Sequence, residues 1–188
     1  LSPGMGAWAQ ILFTRPARAG GTDTLVPGTP YGEADLVLGV DPGETARALA
    51  SDEKLRVATP GRTTIIADQK GSTEESEAAD DDLVERLTQL AAEACGTSDD
   101  RVDSFVDRVQ GQFGNTRLLD VVLLGVAFQL GLVPVTTEAI EQAIVETEQG
   151  GFGRTGQAFR FGRMIAIRSP VVRPATDGLT AIARRRRE

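Results

Sequence analysis

The stretch ADLVLGVD, Ala34–Asp41, decides how this chain folds. Its residues are nearly all apolar up to the final aspartate, and Pro42 and Gly43 follow directly. A continuous apolar run of this length is typical of a strand buried on both faces, as in a parallel sheet. The next segment, ETARALAS, has the composition of a helix. We therefore predict a buried parallel strand that leads into a helix.

The same pattern recurs further along the chain. RTTIIADQ, Arg62–Gln69, follows the turn residues Pro60 and Gly61 and is again apolar in its centre. Strand, helix and strand in this order predict a crossover unit of a parallel sheet. Upstream, WAQILFT at Trp8–Thr14 predicts one more strand, followed by a loop. The expected fold class is α/β, with a mostly parallel sheet flanked by helices.

The C-terminal half of the chain has a helical pattern. The acidic block Ser72–Asp82 has too little apolar content to pack, so it predicts a solvated loop ending at a helix N-terminus, where Asp81 and Asp82 suit the helix dipole. Residues 117–130 are apolar almost all round, which predicts a central buried helix. Apolar residues at helical spacing predict further helices within residues 83–95, 103–110 and 136–146.

Glycine and proline govern the end of the chain. GFGRTG at Gly151–Gly156 has the glycine spacing of a dinucleotide-binding loop, but a predicted helix precedes it where such a loop needs a strand. We predict a hinge there, followed by an extended arm because Pro170 and Pro174 block regular helix. The arginine run 184–187 predicts a solvated tail, with contact to an anionic partner as the alternative.

Composition narrows the function classes. The 188 residues carry a net charge of −7, which argues against a surface built to grip nucleic acid. There is no histidine and a single cysteine, Cys95, which removes most routes to zinc, iron–sulfur clusters and histidine acid–base catalysis. We expect Cys95 to be buried, and we predict neither a metal ligand nor a catalytic residue in this chain.

The sequence also bears on location. No apolar run approaches the ~20 residues of a membrane span, and the N-terminus lacks a basic region followed by an apolar block. We expect a cytoplasmic protein without membrane contact. The chain opens with Leu1 rather than Met, which indicates a fragment, a processed product or a segment of a longer protein.

Four segments together resemble a known family. They are GMGAWAQILFTRP at 4–16, YGEADLVLGVD at 31–41, GNTRLLDVVLLGVAFQLGLVPVTTEAIEQAI at 114–144 and QAFRFGR at 157–163. In this order they resemble the gamma-type domain of 2-oxoacid:ferredoxin oxidoreductases, and the indolepyruvate branch most of all. The resemblance implies a gamma-type domain over residues 1–163 that lacks the family's first strand, with residues 164–188 as the extended arm and basic tail.

The resemblance also implies a division of labour. In that family thiamine diphosphate, magnesium and iron–sulfur clusters belong to partner chains or domains, and electrons pass to ferredoxin. The gamma-type domain contributes to assembly and, in some branches, to a coenzyme A pocket. This chain is thus expected to be an accessory part of an oxidoreductase for indolepyruvate or another aryl pyruvate, with the thiamine-binding subunit and ferredoxin as partners.

Six residues take roles under this resemblance. Gly4 and Gly6 would allow close backbone approach near a subunit interface, and Asp41 would lie at the carboxyl edge of the sheet. Phe159 would fill a pocket and anchor the arm, while Arg160 and Arg163 would pair with a carboxylate or a coenzyme phosphate. For each arginine, a solvated surface charge is the alternative.

Two other function classes stay open at this point. One is a free-standing nucleotide-binding reductase that uses one of the glycine clusters. The other is an acidic protein-interaction module, with the acidic loop and the arginine tail as its contact surfaces.

Overall fold

The computed structural model describes residues 9–13, 32–50, 56–71, 81–97, 99–148 and 153–168. Within them the chain forms a three-stranded parallel sheet with helices on both faces, which confirms the predicted α/β class. The strands are β1 (Leu36–Gly39), β2 (Thr64–Asp68) and β3 (Arg101–Asp103), and they lie side by side in the order β1-β2-β3. Leu36 is paired with Thr64, and Ile66 is paired with Arg101.

Six helices accompany the sheet in the part of the chain that the structure describes. They are α1 (Pro42–Leu49), α2 (Asp81–Ala94), α3 (Phe105–Phe113), α4 (Leu119–Gln129), α5 (Thr137–Thr147) and α6 (Gly153–Arg168). The first five match helices predicted from composition or apolar spacing, with differences of a few residues at their ends. The predicted helix start at Asp81 and Asp82 is confirmed as the first turn of α2.

The start of α1 follows from its local sequence. Asp41 is the N-cap residue, and its Oδ1 accepts a hydrogen bond of 2.8 Å from the backbone N–H of Glu44. Pro42 occupies the first turn, where its fixed φ suits the helix and its missing N–H is not needed. The cap and the proline together fix the point at which the strand segment turns into the helix.

Strand β2 is the centre of the molecule, and all five of its residues are buried. Ile65 faces a cluster formed with Leu49 of α1 and Leu87 of α2. Its neighbour Ile66 faces the opposite cluster, which contains Val109 of α3 and Val122 of α4. Because side chains alternate along a strand, β2 supplies the core on both faces of the sheet.

Helices α4 and α6 cross at very short range. A Cβ atom added to Gly125 would lie 2.3 Å from the carbonyl oxygen of Phe159, and one added to Gly162 would lie 2.1 Å from that of Val122. Only glycine at both positions lets the two backbones approach this closely. The crossing explains why α4 is apolar all round: it packs on β1 and β2 on one side and on α6 on the other.

The structure corrects the predicted hinge and the start of the arm. Gly153–Gly156 belong to the first turn of α6, so they are not a hinge, and Gly151 lies outside the described residues. The helix runs on to Arg168, into the segment predicted to be extended. Pro170 blocks a helix only near and beyond its own position, so residues before it remain free to be helical. Residues 169–188 are outside the described part of the chain.

Two further differences concern strands. Residues 9–13 of the predicted first strand are neither strand nor helix, and Ile11 and Phe13 are exposed. An apolar run becomes a strand only where a neighbouring backbone completes the ladder, which the pattern cannot show. Conversely, β3 was not predicted, because its three residues, RVD, are short and mostly charged.

Among the described helices, none combines the length and the apolar character needed to cross a membrane. The burial predicted for Cys95 is confirmed, since its side chain is enclosed in the cluster between α1, α2 and β2.

Candidate functional site

The carboxyl edge of the sheet was the predicted location of Asp41, and the structure places it there. The three strands run in parallel, so their last residues meet at one edge. Asp41 follows β1 closely, and Asp68 and Asp103 are the last residues of β2 and β3. Helices α1 and α3 both begin at this edge.

Asp68 is the most enclosed charged group of this edge, and its side chain is fully buried. One oxygen accepts hydrogen bonds from the backbone N–H groups of Lys70 at 3.0 Å and Gly71 at 2.7 Å. The other accepts from the N–H of Val106, in the first turn of α3, at 2.7 Å. One carboxyl group thus holds the loop after β2 and the start of α3 together.

Two opposing effects act on the pKa of Asp68. Burial raises the pKa above its usual value because it disfavours the charged form, and this effect is the larger. The hydrogen bonds from Val106, Gly71 and Lys70 stabilise the carboxylate and oppose that rise. The result is a buried carboxyl group with a raised pKa in the sheet edge.

Much of this edge is engaged by the chain's own side chains. The Asp41 carboxylate accepts a hydrogen bond from a backbone N–H in the first turn of α1, and the Asp68 carboxylate accepts one from the first turn of α3. Beside them Lys70 pairs with Asp107 at 2.5 Å, and Arg108 pairs with Asp103. Helix N-termini bind phosphate through free amides, so internal carboxylates at these positions weaken the case for an anionic ligand here.

A second candidate site lies on the outer side of α6. We call it the α6 arginine face and define it as Arg160, Arg163, Met164, Ile167 and Arg168. The spacing of these residues is that of one helix face. With Gln129 of α4 they line an open depression of about 300 Å³. Ile167 is 66% exposed, which places an apolar side chain in solvent among three arginines.

Arg163 is held in this face by an amide and two aromatic rings. Its Nε donates a hydrogen bond of 3.0 Å to Oε1 of Gln129. Its guanidinium carbon lies 5.3 Å from the ring centre of Phe128 and 5.9 Å from that of Phe159. The aromatic rings and the amide fix the plane of the guanidinium group, which limits the entropy lost when a carboxylate or phosphate binds.

Arg160 lies beside it and is more exposed. Its Nη2 is 3.5 Å from Oε1 of Glu141 on α5, a long ion pair in a solvated position. Such pairs contribute little to stability because water screens them. The arginines predicted as contacts thus share one surface.

The other predicted site residues are placed differently. Phe159 is fully buried, and its ring packs against Phe128 at 5.4 Å between ring centres. It fills space inside this chain, between α4 and α6. Its expected role as the anchor of an arm stays a prediction, because residues 169–188 lie outside the described part of the chain. Gly4 and Gly6 lie outside the described residues, and Asp41 belongs to the sheet edge.

Sequence reasoning missed Asp68 and the apolar part of the α6 arginine face. TIIAD ends in an aspartate just as LVLGVD does, and that parallel was the available signal for Asp68. Met164 and Ile167 follow Arg160 at helical spacing. Because residues 164–178 were predicted to be extended, the helix face that these residues share was not recognised.

Comparisons with known proteins add no identification: no family model, curated protein or solved structure matches this chain. Over the described ranges, no group of three or more histidine, cysteine, aspartate or glutamate side chains is arranged to hold a metal ion.

Proposed function

We propose that this chain is an accessory gamma-type domain of a thiamine-dependent 2-oxoacid:ferredoxin oxidoreductase that acts on indolepyruvate or another aryl pyruvate. Its role is assembly. Decarboxylation of the 2-oxoacid would take place on thiamine diphosphate in a partner chain, and iron–sulfur clusters would carry the electrons to ferredoxin. Coenzyme A is a further candidate ligand.

The observation that carries this proposal is the place of the resembling segments in the fold. The leucine–glycine pair of the longest segment supplies Gly125, and the FGR of the last segment supplies Gly162. These two glycines form the close crossing of α4 and α6. The residues that carry the resemblance therefore have a packing role, which agrees with an architectural function.

The strand segment of the resemblance supports the same conclusion. ADLVLG contains β1, which pairs with β2 in the parallel sheet. The aspartate of VLGVD caps α1. The residues of this segment thus form the first strand and the helix start of the parallel β1–α1–β2 unit.

The nucleotide-binding alternative loses its structural basis at residues 151–156. A dinucleotide loop needs a strand that leads into it, whereas the preceding element here is α5 and Gly153–Gly156 are already helical. The interaction-module alternative keeps one supporting feature, the α6 arginine face.

The test is the composition of the native assembly, purified without oxygen from the source of the protein. We expect this chain to elute with a larger chain, in a fraction that contains thiamine, iron and sulfide. The isolated chain should show no oxidation of indolepyruvate with ferredoxin as acceptor. A chain that elutes alone without these components, or that turns over the substrate unaided, would contradict the proposal.

A further inference from the structure

The charge of this chain is unevenly distributed along its sequence. Residues 149–188 contain nine arginines and only two acidic residues, while residues 1–148 contain 11 basic and 25 acidic residues. The basic end begins with α6, whose outer side is the α6 arginine face. A strongly acidic molecule thus presents a cationic helix, α6, which attracts anionic partners to a defined place.

The face has the composition of a protein contact. Met164 and Ile167 form an apolar centre, and Arg160, Arg163 and Arg168 surround it. Protein interfaces commonly have an apolar centre inside a polar rim, and arginine is enriched among the residues that carry the binding energy. The orientation of Arg163 by Gln129 and Phe128 reduces the entropy lost on binding.

We propose that the α6 arginine face docks an acidic protein surface with an apolar centre, on the thiamine-binding partner chain. The inference rests on the proposed function for the identity of that chain. Carboxylates of the partner would pair with Arg163 and Arg168, and an apolar side chain would cover Ile167. The basic sequence beyond Arg168, with five more arginines, continues the same charge.

Two other ligand classes fit the face less well. Nucleic acid presents a long row of phosphates, and the acidic remainder of the chain, with 25 carboxylates, would repel it. A small anion such as coenzyme A needs a site that encloses most of its surface, whereas this depression is open and has an exposed apolar side chain in it.

The first experiment locates the contact within the native assembly. A photo-reactive benzoylphenylalanine replaces Ile167 in one sample and Ala92, an exposed residue of α2 on the other side of the sheet, in a second. After irradiation, we expect Ile167 to cross-link to the co-purifying thiamine-binding chain, at a peptide with aspartate or glutamate beside apolar residues. The Ala92 position should give no such product.

The second experiment measures the charge contribution with matched variants. The paired substitution Ile167→Glu and Arg168→Glu removes the net positive charge of the face and its exposed apolar side chain. Arg117→Glu changes an exposed arginine at the other end of α4. Against the purified thiamine-binding chain, we expect the paired variant to bind roughly tenfold more weakly or worse. The control variant should stay within about twofold, because a charge outside the contact changes affinity little.

The outcomes separate the two proposals. If a thiamine-binding chain is present but cross-links only through Ala92, or binds both variants equally, the docking inference is wrong and the proposed function stands. If no such chain elutes with this protein, both are overturned. A saturable heat of binding for coenzyme A that Arg163→Gln abolishes would assign the face to a small anion and overturn protein docking.

Discussion

Asp68 shows how one buried side chain connects distant parts of the sequence. Its carboxyl group accepts backbone N–H groups from the adjacent loop and from Val106, 38 positions away. The Val106 N–H is buried, and leaving such a donor without a partner costs about 1–3 kcal/mol. Asp41, by contrast, accepts a hydrogen bond from within its own helix, at Glu44.

We expect Asp68→Asn to lower the free energy of unfolding by about 1–3 kcal/mol. One oxygen remains to accept from Val106, but the amide nitrogen would face the N–H groups of Lys70 and Gly71, and two donors repel. Urea denaturation followed by circular dichroism measures the change. Asp107→Asn is the control: it removes an exposed carboxylate, so its effect should lie between about 0 and 1 kcal/mol.

The pKa of Asp68 can be tested by measuring the free energy of unfolding of the unmodified protein and of Asp68→Asn at several pH values. Burial raises this pKa above the usual 3.8, so the contribution of Asp68 to stability is fully present below that value. It is lost as the pH rises through the pKa of the folded chain. The stability advantage of the unmodified protein over Asp68→Asn should therefore shrink as the pH rises through this range.

An advantage that grew with pH would have the opposite meaning. It would show that the hydrogen bonds from Val106, Gly71 and Lys70 outweigh burial and lower the pKa.

The two aspartates also show what a sequence reveals at the residue scale. Strand, aspartate, proline and glycine follow one another around Asp41, which predicts a strand that leads into a helix, and the resemblance implies that Asp41 lies at the sheet edge. The contact between Asp68 and Val106 depends on how β2 and α3 come together, and no local pattern encodes that. The local cap was predictable, and the long-range one was not.

The close crossing of α4 and α6 limits which residues can stand at Gly125 and Gly162. The atoms nearest to a Cβ on Gly125 or Gly162 are backbone atoms, which cannot move aside as a flexible side chain can. We expect Gly125→Ala and Gly162→Ala each to lower the free energy of unfolding by about 1–3 kcal/mol, the usual range for overpacking. Urea denaturation at neutral pH measures both.

Gly111→Ala provides the matched control. Gly111 is an exposed position within α3, and a Cβ there would meet nothing within 4 Å. Alanine restricts the unfolded chain and favours helix, so this variant should gain about 0.5–1 kcal/mol. Equal effects of the same substitution at all three glycines would mean that the close crossing is not what limits residue size at Gly125 and Gly162.

Elements with a strong apolar period were predictable, and those without one were not. α4 could be recognised as buried because nearly every residue from Leu118 to Leu130 is apolar. α6 was missed because its glycines at 153, 156 and 162 lower helix propensity, and tertiary packing on α4 overrides that preference. Among the described strands, β3 pairs with β2, and the three residues of β3 carry no apolar pattern from which that pairing could be predicted.

At the scale of the whole molecule, one strand serves two helical layers. Ile65 and Ile66 of β2 support opposite clusters, so neither layer keeps its core if β2 is lost. Cys95 lies within the layer of α1 and α2, and burial raises the pKa of its thiol to about 12. Iodoacetamide reacts with the thiolate, so modification requires this layer to open.

We expect modification of Cys95 to follow the same urea transition as circular dichroism, because the two layers unfold together. Labelling near pH 8 followed by intact mass measures the modified fraction at each urea concentration, and Cys95→Ala gives the background. Gly125→Ala, in the opposite layer, should shift both transitions equally. Labelling complete at a lower urea concentration than the loss of helix would show that the α1–α2 layer opens by itself.

The fold class could be predicted from the sequence, but the complete α6 arginine face could not. The α/β class followed from two apolar strands around a helix. The α6 arginine face was only half visible, as Arg160 and Arg163. Its apolar centre emerges only when residues 164–168 are seen to continue the helix.

The glycine crossing has a mechanical consequence. Helices whose backbones touch at Gly125 and Gly162 have no deformable side chains between them at that point, so a displacement of one is passed on to the other. α4 in turn lies on β1 and β2, at whose carboxyl ends Asp41 and Asp68 are fixed. A force applied to the outer side of α6 would therefore displace α4 and, through it, strands β1 and β2.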